Sequence, residues 1–418
     1  MNFMRNVLRH RNFRWLFGGQ FMSNVGNSLF ILALFWYVQA STHSASDVAW
    51  VGFAMTIPSL GGFLTGFLAD LVDRRRLLWI TDGIRFVLVA IITFMVLANQ
   101  ANLAAIALAV VLVSVAGNLF WPASQALLPS LVPEEDLVSA NGWMQSSGQF
   151  AQGLAALLGS IIIASVGVVM VFGFDALTFL VSVWTLLLLR LPSSASKVPA
   201  PRDALPRSAA SWWQDTLQGL KTLWKWPMIR WVLPGVIIMN LAYAPFFTMS
   251  AAWSQEILHR GSFGYSMLVL AEALGNLLGG LMAGGLARRF QGVAPWVFSM
   301  ILTLPILAFP AMHLLWGDFL ALLAFGIGTG LVNTLFLTLL QQRISEALLG
   351  RVFATLGTIF GAALPLGTAL SGIAVGGVGI GGIFWAASAA IVAAACYLGG
   401  AMVWHPEVRS QARLSTSR

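Results

Sequence analysis

Twelve stretches of roughly twenty or more residues, each apolar and almost free of charge, follow one another along this chain. A stretch of that length, coiled as a helix rising about 1.5 Å per residue, spans a hydrocarbon layer about 30 Å thick. The runs occupy 15–39, 48–71, 77–97, 103–127, 139–166, 169–190, 228–254, 263–287, 293–313, 318–341, 350–373 and 379–403. They are continuous rather than alternating, so helices and not barrel strands must satisfy the backbone groups in lipid. Composition agrees: 9% of the 418 residues are charged, against about 25% in soluble domains. The expected fold is an all-α polytopic membrane protein of twelve spans. The first run carries Asn24 and Asn27 and is about 25 residues long, beyond the 7–15 of a signal-peptide core, so it is read as a retained span.

The net charge of +8 invites a nucleic-acid partner, but its distribution argues for topology and for no nucleic acid. Twenty-one of the 23 lysines and arginines fall on one side of the predicted spans. They lie in the N-terminus, the Arg74–Arg76 triplet, the link region from Arg190 through Arg230, the Arg288–Arg289 and Arg343–Arg351 turns, and the C-terminal tail. Positive residues flank cytoplasmic ends. Both termini and the link are therefore expected in the cytoplasm, with the chain in the cell inner (plasma) membrane as a multi-pass protein. One acidic turn, Glu134-Glu135-Asp136, shares that face.

The long link divides the chain into a six-span bundle (1–190), a linker with an amphipathic piece (191–227), and a second bundle with a tail (228–418). A shift of 216 residues lays Arg14-Trp15 on Arg230-Trp231, Gly19 on Gly235, Asn24 on Asn240 and Gln125 on Gln341. Two parallel repeats of six spans are thus expected.

Between the second and third runs stands Gly66-Phe-Leu-Ala69-Asp70-Leu-Val-Asp73-Arg74-Arg75-Arg76. This stretch resembles the signature of the major facilitator superfamily. Phe120-Trp-Pro-Ala-Ser-Gln125 and its sequel, Asp175 within Phe-Asp-Ala-Leu-Thr-Phe, and Gly350-Arg351-Val352-Phe353 resemble one branch of it, which includes macrolide-efflux proteins and the enterobactin exporter. The resemblance implies a cytoplasmic charge latch formed by Asp70, Asp73 and Arg74–Arg76. Asp82, Arg85 and Asp136 are assigned to the same gate. Two departures stand out. Span 1 has Asn27 where relatives often carry an acid, and span 5 has Gly153-Leu-Ala-Ala where exporters often show Gly-Pro.

No cluster of histidine, cysteine or carboxylate has metal or nucleophile spacing, and no ATP-binding loop is present, so neither an enzyme nor an ATP-driven pump is expected. No cofactor is expected. The expected drive is an ion gradient, with protons favoured and sodium open, or the substrate's own gradient. What remains is a sparse set of polar groups inside spans, which normally face a bundle interior or a wet cavity. Gln20, Asn24 and Asn27 share one helix face, as do Gln145, Gln149 and Gln152. Trp36, Gln125, Asn240, Tyr243, Asn276, Asn333, Thr338 and Gln341 complete the candidate lining. Interhelical hydrogen bonding is the alternative for each. Glu272 lies roughly 14 Å deep in span 8 at 1.5 Å per residue. It is the first candidate for proton coupling or substrate binding, and Asp175 is the second.

The expected activity is export of small amphipathic molecules, drugs or siderophore-like compounds, by a proton-coupled secondary transporter acting as a monomer. A lipid or lysophospholipid flippase is the alternative within transport. A membrane-embedded enzyme and a non-transporting sensor are alternatives of other classes.

Overall fold

The computed structural model describes residues 7–61, 73–133, 136–189, 224, 227–289, 294–343 and 346–404. Asp70 and the 191–223 part of the link lie outside them. No strand occurs among the described residues. The helices are α1 (Arg11–Thr42), α2 (Ala45–Thr56), α3 (Arg74–Leu97), α4 (Leu103–Leu127), α5 (Leu137–Leu187), α6 (Pro227–Thr248), α7 (Ser250–Glu256), α8 (Gly261–Arg289), α9 (Ala294–Thr303), α10 (Leu315–Arg343) and α11 (Glu346–Trp404). Eight helices among the described residues are long and apolar enough to cross a membrane. The chain is a multi-pass membrane protein, and its exposed surface fits one: Phe94 is 67% exposed and Leu281 72%, an apolar skin that water would penalise.

Two of the long helical runs contain a break. Gly167 in α5 has φ 79° and Gly379 in α11 has φ 71°, each joining two helices. An L side chain is strained in this left-handed region, so glycine marks the joint. Elsewhere the reversals use polar residues: Asn99, His43, His259 and His313 all take φ near 50°. Three of the five histidines are thus turn residues.

The chain separates into two compact units. The first comprises Met1–Ser41 and Val51–Arg207, the second Thr42–Trp50 and Ser208–Arg418. In the first, α3 lies against α4 and α5. Its core at one end gathers Phe13, Leu16, Leu78, Phe120 and Leu186. In the second, α8 packs along α10, and α6 along α11. Its main core is aromatic: Phe246, Trp253, Phe309 and Phe384 pack with ring centroids 4.9–5.2 Å apart. The Trp253 indole donates to Asp318 Oδ2 at 2.8 Å. The short segment 42–50 also belongs to this unit, where Ser46 Oγ donates to the Gly372 carbonyl at 2.9 Å.

The α8–α10 contact is backbone against backbone. Gly275 and Gly279 face Gly326 and Gly330, both pairs four residues apart, the spacing that lets membrane helices approach closely. A Cβ on Gly279 would run into the Ile327 carbonyl oxygen and lie 2.8 Å from the Leu331 nitrogen. Backbone cannot swing aside as a side chain can. Gly279→Ala is therefore expected to cost about 1–3 kcal/mol, the range for overpacking, read as a lower thermal midpoint of the purified protein. An unchanged midpoint would show the crossing to be loose.

Candidate functional site

The described part of the signature stretch, Asp73 to Arg76, makes contacts at helix ends. Asp73 caps α3, its Oδ1 accepting from the Arg76 N–H at 2.9 Å. Arg75 reaches the far end of α5, donating from Nε to Leu186 O (3.2 Å) and from Nη2 to Leu187 O (2.7 Å). It satisfies carbonyls that a helix C-terminus leaves open and sits where a cation suits the helix dipole. Arg76 is exposed, and the Arg74 side chain lies outside the described set. Asp136 is buried and meets His10 Nε2 at 2.9 Å. The sequence assigns Asp136 to the gate of the arginine triplet; the contact the structure describes is to His10, 126 positions away.

Asp82 and Arg85 belong to a network inside the first unit. Asp82 is fully buried; its Oδ1 lies 3.4 Å from Arg85 Nη1, and its Oδ2 accepts from Ser182 Oγ at 2.5 Å. Arg85 Nη2 donates to Asn27 Oδ1 at 3.3 Å, and the guanidinium carbon sits 4.0 Å from the Phe179 ring centroid. Gln20 donates to Ser182 at 3.3 Å. Asp175 is fully buried, with one oxygen near Thr178 and the other without a partner among the described residues. It abuts Gly26, where an added Cβ would come within 2.6 Å of Asp175 Oδ1. The Gly26–Asn27 turn of α1 thus touches both Asp175 and Arg85. These contacts run among α1, α3 and α5, and their fabric is interhelical.

The polar face of α1 is similarly engaged. Besides Gln20 and Asn27, Asn24 donates to Ser147 Oγ on α5 at 3.0 Å. For these three the described contacts are the interhelical bonds kept as the alternative. Gln149 and Gln152 are exposed on α5, while Gln125 and Trp36 are half-buried. The side chains of Gln145, Thr338 and Gln341 lie outside the described set.

In the second unit Glu272 is half-buried on α8, one turn before the Gly275–Gly279 contact. Tyr243 of α6 donates its hydroxyl to Glu272 Oε1 at 2.5 Å. No cation contacts it among the described residues. The Tyr243 ring is stacked on Phe325 of α10 at 6.2 Å, which fixes the hydroxyl's aim. Asn276 donates to the Glu272 carbonyl at 3.2 Å, and Thr329 donates to Asn276 Oδ1 at 3.3 Å. Glu272 is thus a lone carboxyl held by a phenol, on a helix pinned to its neighbour. Asn240 and Asn333 line a cavity of about 90 Å³ inside this unit, with Val236, Trp296, Phe336 and Phe360 on its walls. Sequence reasoning missed Trp296, His10 and Asp318. Trp296 is one of 17 tryptophans with nothing local to single it out, His10 precedes the first predicted run, and Asp318 opens the tenth. No group of three or more potential metal ligands occurs among the described residues.

The comparisons agree with this architecture. A chain from Streptococcus pyogenes named macrolide efflux protein A is 21% identical over 366 residues, covering 86% of this chain and 88% of the relative. The multidrug efflux pump Tap of Mycolicibacterium fortuitum is 24% identical, covering 84% and 86%. The enterobactin exporter EntS of Salmonella typhimurium is 27% identical, covering 82% and 80%. The nucleoside transporter NupG superposes with a TM-score of 0.71 at 13% identity, over 94% of this chain and all of that one. A bacterial homologue of the iron transporter ferroportin gives 0.68 at 16%, over 94% and 99%. The family model of the Major Facilitator Superfamily matches residues 16–368, and the chain belongs to that family of membrane transporters.

Proposed function

We propose that this transporter exports small, amphipathic molecules in exchange for protons, by alternating access, as a monomer in the cell inner membrane. Twelve spans in two repeats and cytoplasmic termini complete the reading, on the strength of the run map and the placement of arginines. Export draws support from relatives named for macrolide, multidrug and enterobactin efflux. The observation that carries proton coupling is Glu272. A carboxyl inside a span is costly unless paired or put to use, and its described side-chain partner is the Tyr243 hydroxyl, a neutral donor. Such a group can gain a proton on one side of the membrane and lose it on the other without dismantling an ion pair. Asp175, whose Oδ2 has no described partner, is the second candidate carrier. Asp70, with the bases after it, is the proposed latch.

The test is flux in proteoliposomes with an imposed pH gradient and a radiolabelled macrolide. An acid lumen should drive uptake, a protonophore should abolish it, and replacing sodium by choline should leave it unchanged. Asp70→Asn should insert normally and transport poorly. Absence of gradient-driven uptake across a panel of amphipathic compounds, together with scrambling of a fluorescent lipid, would replace this reading by the flippase.

A further inference from the structure

The cavity inside the second unit has a wall that reads as a binding site. Trp296 lines it and is only 1% exposed, yet its indole N–H has no acceptor among the described residues. An indole nitrogen can only donate, and buried donors are normally paired. Beside it, Asn240 spends one N–H on the Val236 carbonyl at 2.9 Å, and Asn333 adds a second carboxamide. The remaining lining is apolar, with Phe336 and Phe360 among it, and no lining residue carries a charge. A mostly apolar wall with a few placed polar groups is the make-up of small-molecule sites, although at about 90 Å³ it is smaller than the ~300–1,000 Å³ of drug-sized pockets.

We propose that this cavity binds an uncharged apolar group bearing one hydrogen-bond acceptor, a carbonyl or ether oxygen seated on Trp296 Nε1–H, and that it docks one arm of the exported molecule. The size admits an arm and excludes a whole drug-sized body. The uncharged wall rejects a carboxylate or ammonium, which would be buried without a counter-ion. Docking of cargo rests on the export reading; binding at the cavity does not.

The test uses the full chain in lipid nanodiscs with indole-¹⁵N tryptophan, the Trp296 signal being assigned by its loss in Trp296→Phe or Trp296→Tyr. Acetophenone should move that signal downfield and saturate. Ethylbenzene, lacking the acceptor, should bind at least tenfold more weakly, and benzoate should leave the signal in place. Val236→Phe, which fills the cavity, should abolish the saturable shift while the other indole signals keep their positions. Equal responses to acetophenone and ethylbenzene would overturn the proposal in favour of a greasy void. A signal that acetophenone leaves unmoved would overturn it in favour of an ordered water only. Neither outcome depends on flux, so failure of proton-driven export leaves this titration standing, and the reverse.

Discussion

Glu272→Gln is expected to abolish export driven by a pH gradient, to the level of empty vesicles, while the protein still folds and still exchanges labelled for unlabelled cargo. The substitution keeps the shape of the side chain and an oxygen that can accept from Tyr243, which lies 2.5 Å away in the native protein. It removes only the capacity to take up and release a proton. The helix should stay in place, because α8 is fixed to α10 by Gly275, Gly279, Gly326 and Gly330, and by the Thr329–Asn276 hydrogen bond. Coupling and architecture are thereby separable. Tyr243→Phe supplies the complementary case: it leaves the carboxyl without its donor, a loss of about 1–3 kcal/mol for an unmade buried hydrogen bond. Transport there should be impaired rather than lost. The measurement is initial uptake with and without the gradient, beside counterflow at equal pH. Wild-type gradient-driven uptake by Glu272→Gln, at normal protein levels, would end the assignment. Loss of counterflow as well would place Glu272 in the cargo site rather than in coupling.

Much of the helical layout is legible in the sequence because lipid imposes a simple rule on length. The predicted run 103–127 coincides with α4, and the 166/169 gap between predicted spans straddles the break at Gly167. The second break, Gly379, falls one residue past the expected gap 374–378, as the first residue of span 12, because eight glycines crowd 361–382 and nothing local marks the one with positive φ. Partners across helices are less legible. The 3.6-residue period says that Gln20, Asn24 and Asn27 share a face, but not what that face meets. Ser182, Ser147 and Arg85 are supplied by distant segments. The four glycines of the α8–α10 contact are likewise hidden among 41, and their role exists only once the two helices cross. Glu272 stood out because a carboxyl deep in an apolar run is expensive wherever the run packs. Asp318 is more deeply buried than Glu272, but it opens a predicted run, where a carboxylate draws no notice; the Trp253 indole and the aromatic core explain how it is held inside.

The second large effect is expected at Arg85, and it concerns stability. Arg85→Leu should leave Asp82 fully buried with its Ser182 hydrogen bond and no described cation beside it. Breaking a buried pair by deleting one partner costs about 3–5 kcal/mol, because the remaining charge has lost its compensation. The guanidinium also makes contacts beyond Asp82, to the Asn27 carboxamide and the Phe179 ring, so the loss should reach α1 and α5 as well as α3. Arg85→Leu alone should therefore show little folded protein in size-exclusion of the solubilised membrane. Arg85→Leu with Asp82→Asn should recover much of it, since a buried pair replaced whole by uncharged groups is often near neutral. Asp82→Asn alone should be milder than Arg85→Leu, as Arg85 keeps Asn27 and Phe179. A double-mutant cycle on thermal midpoints isolates the coupling between the two residues. If the double variant is as unstable as the sum of the singles, Asp82 and Arg85 do not act as a pair. If it recovers folding but not gradient-driven flux, the same charges that hold α1, α3 and α5 together also serve the transport cycle, with Asp175 against the Gly26–Asn27 turn as the group through which they would do so.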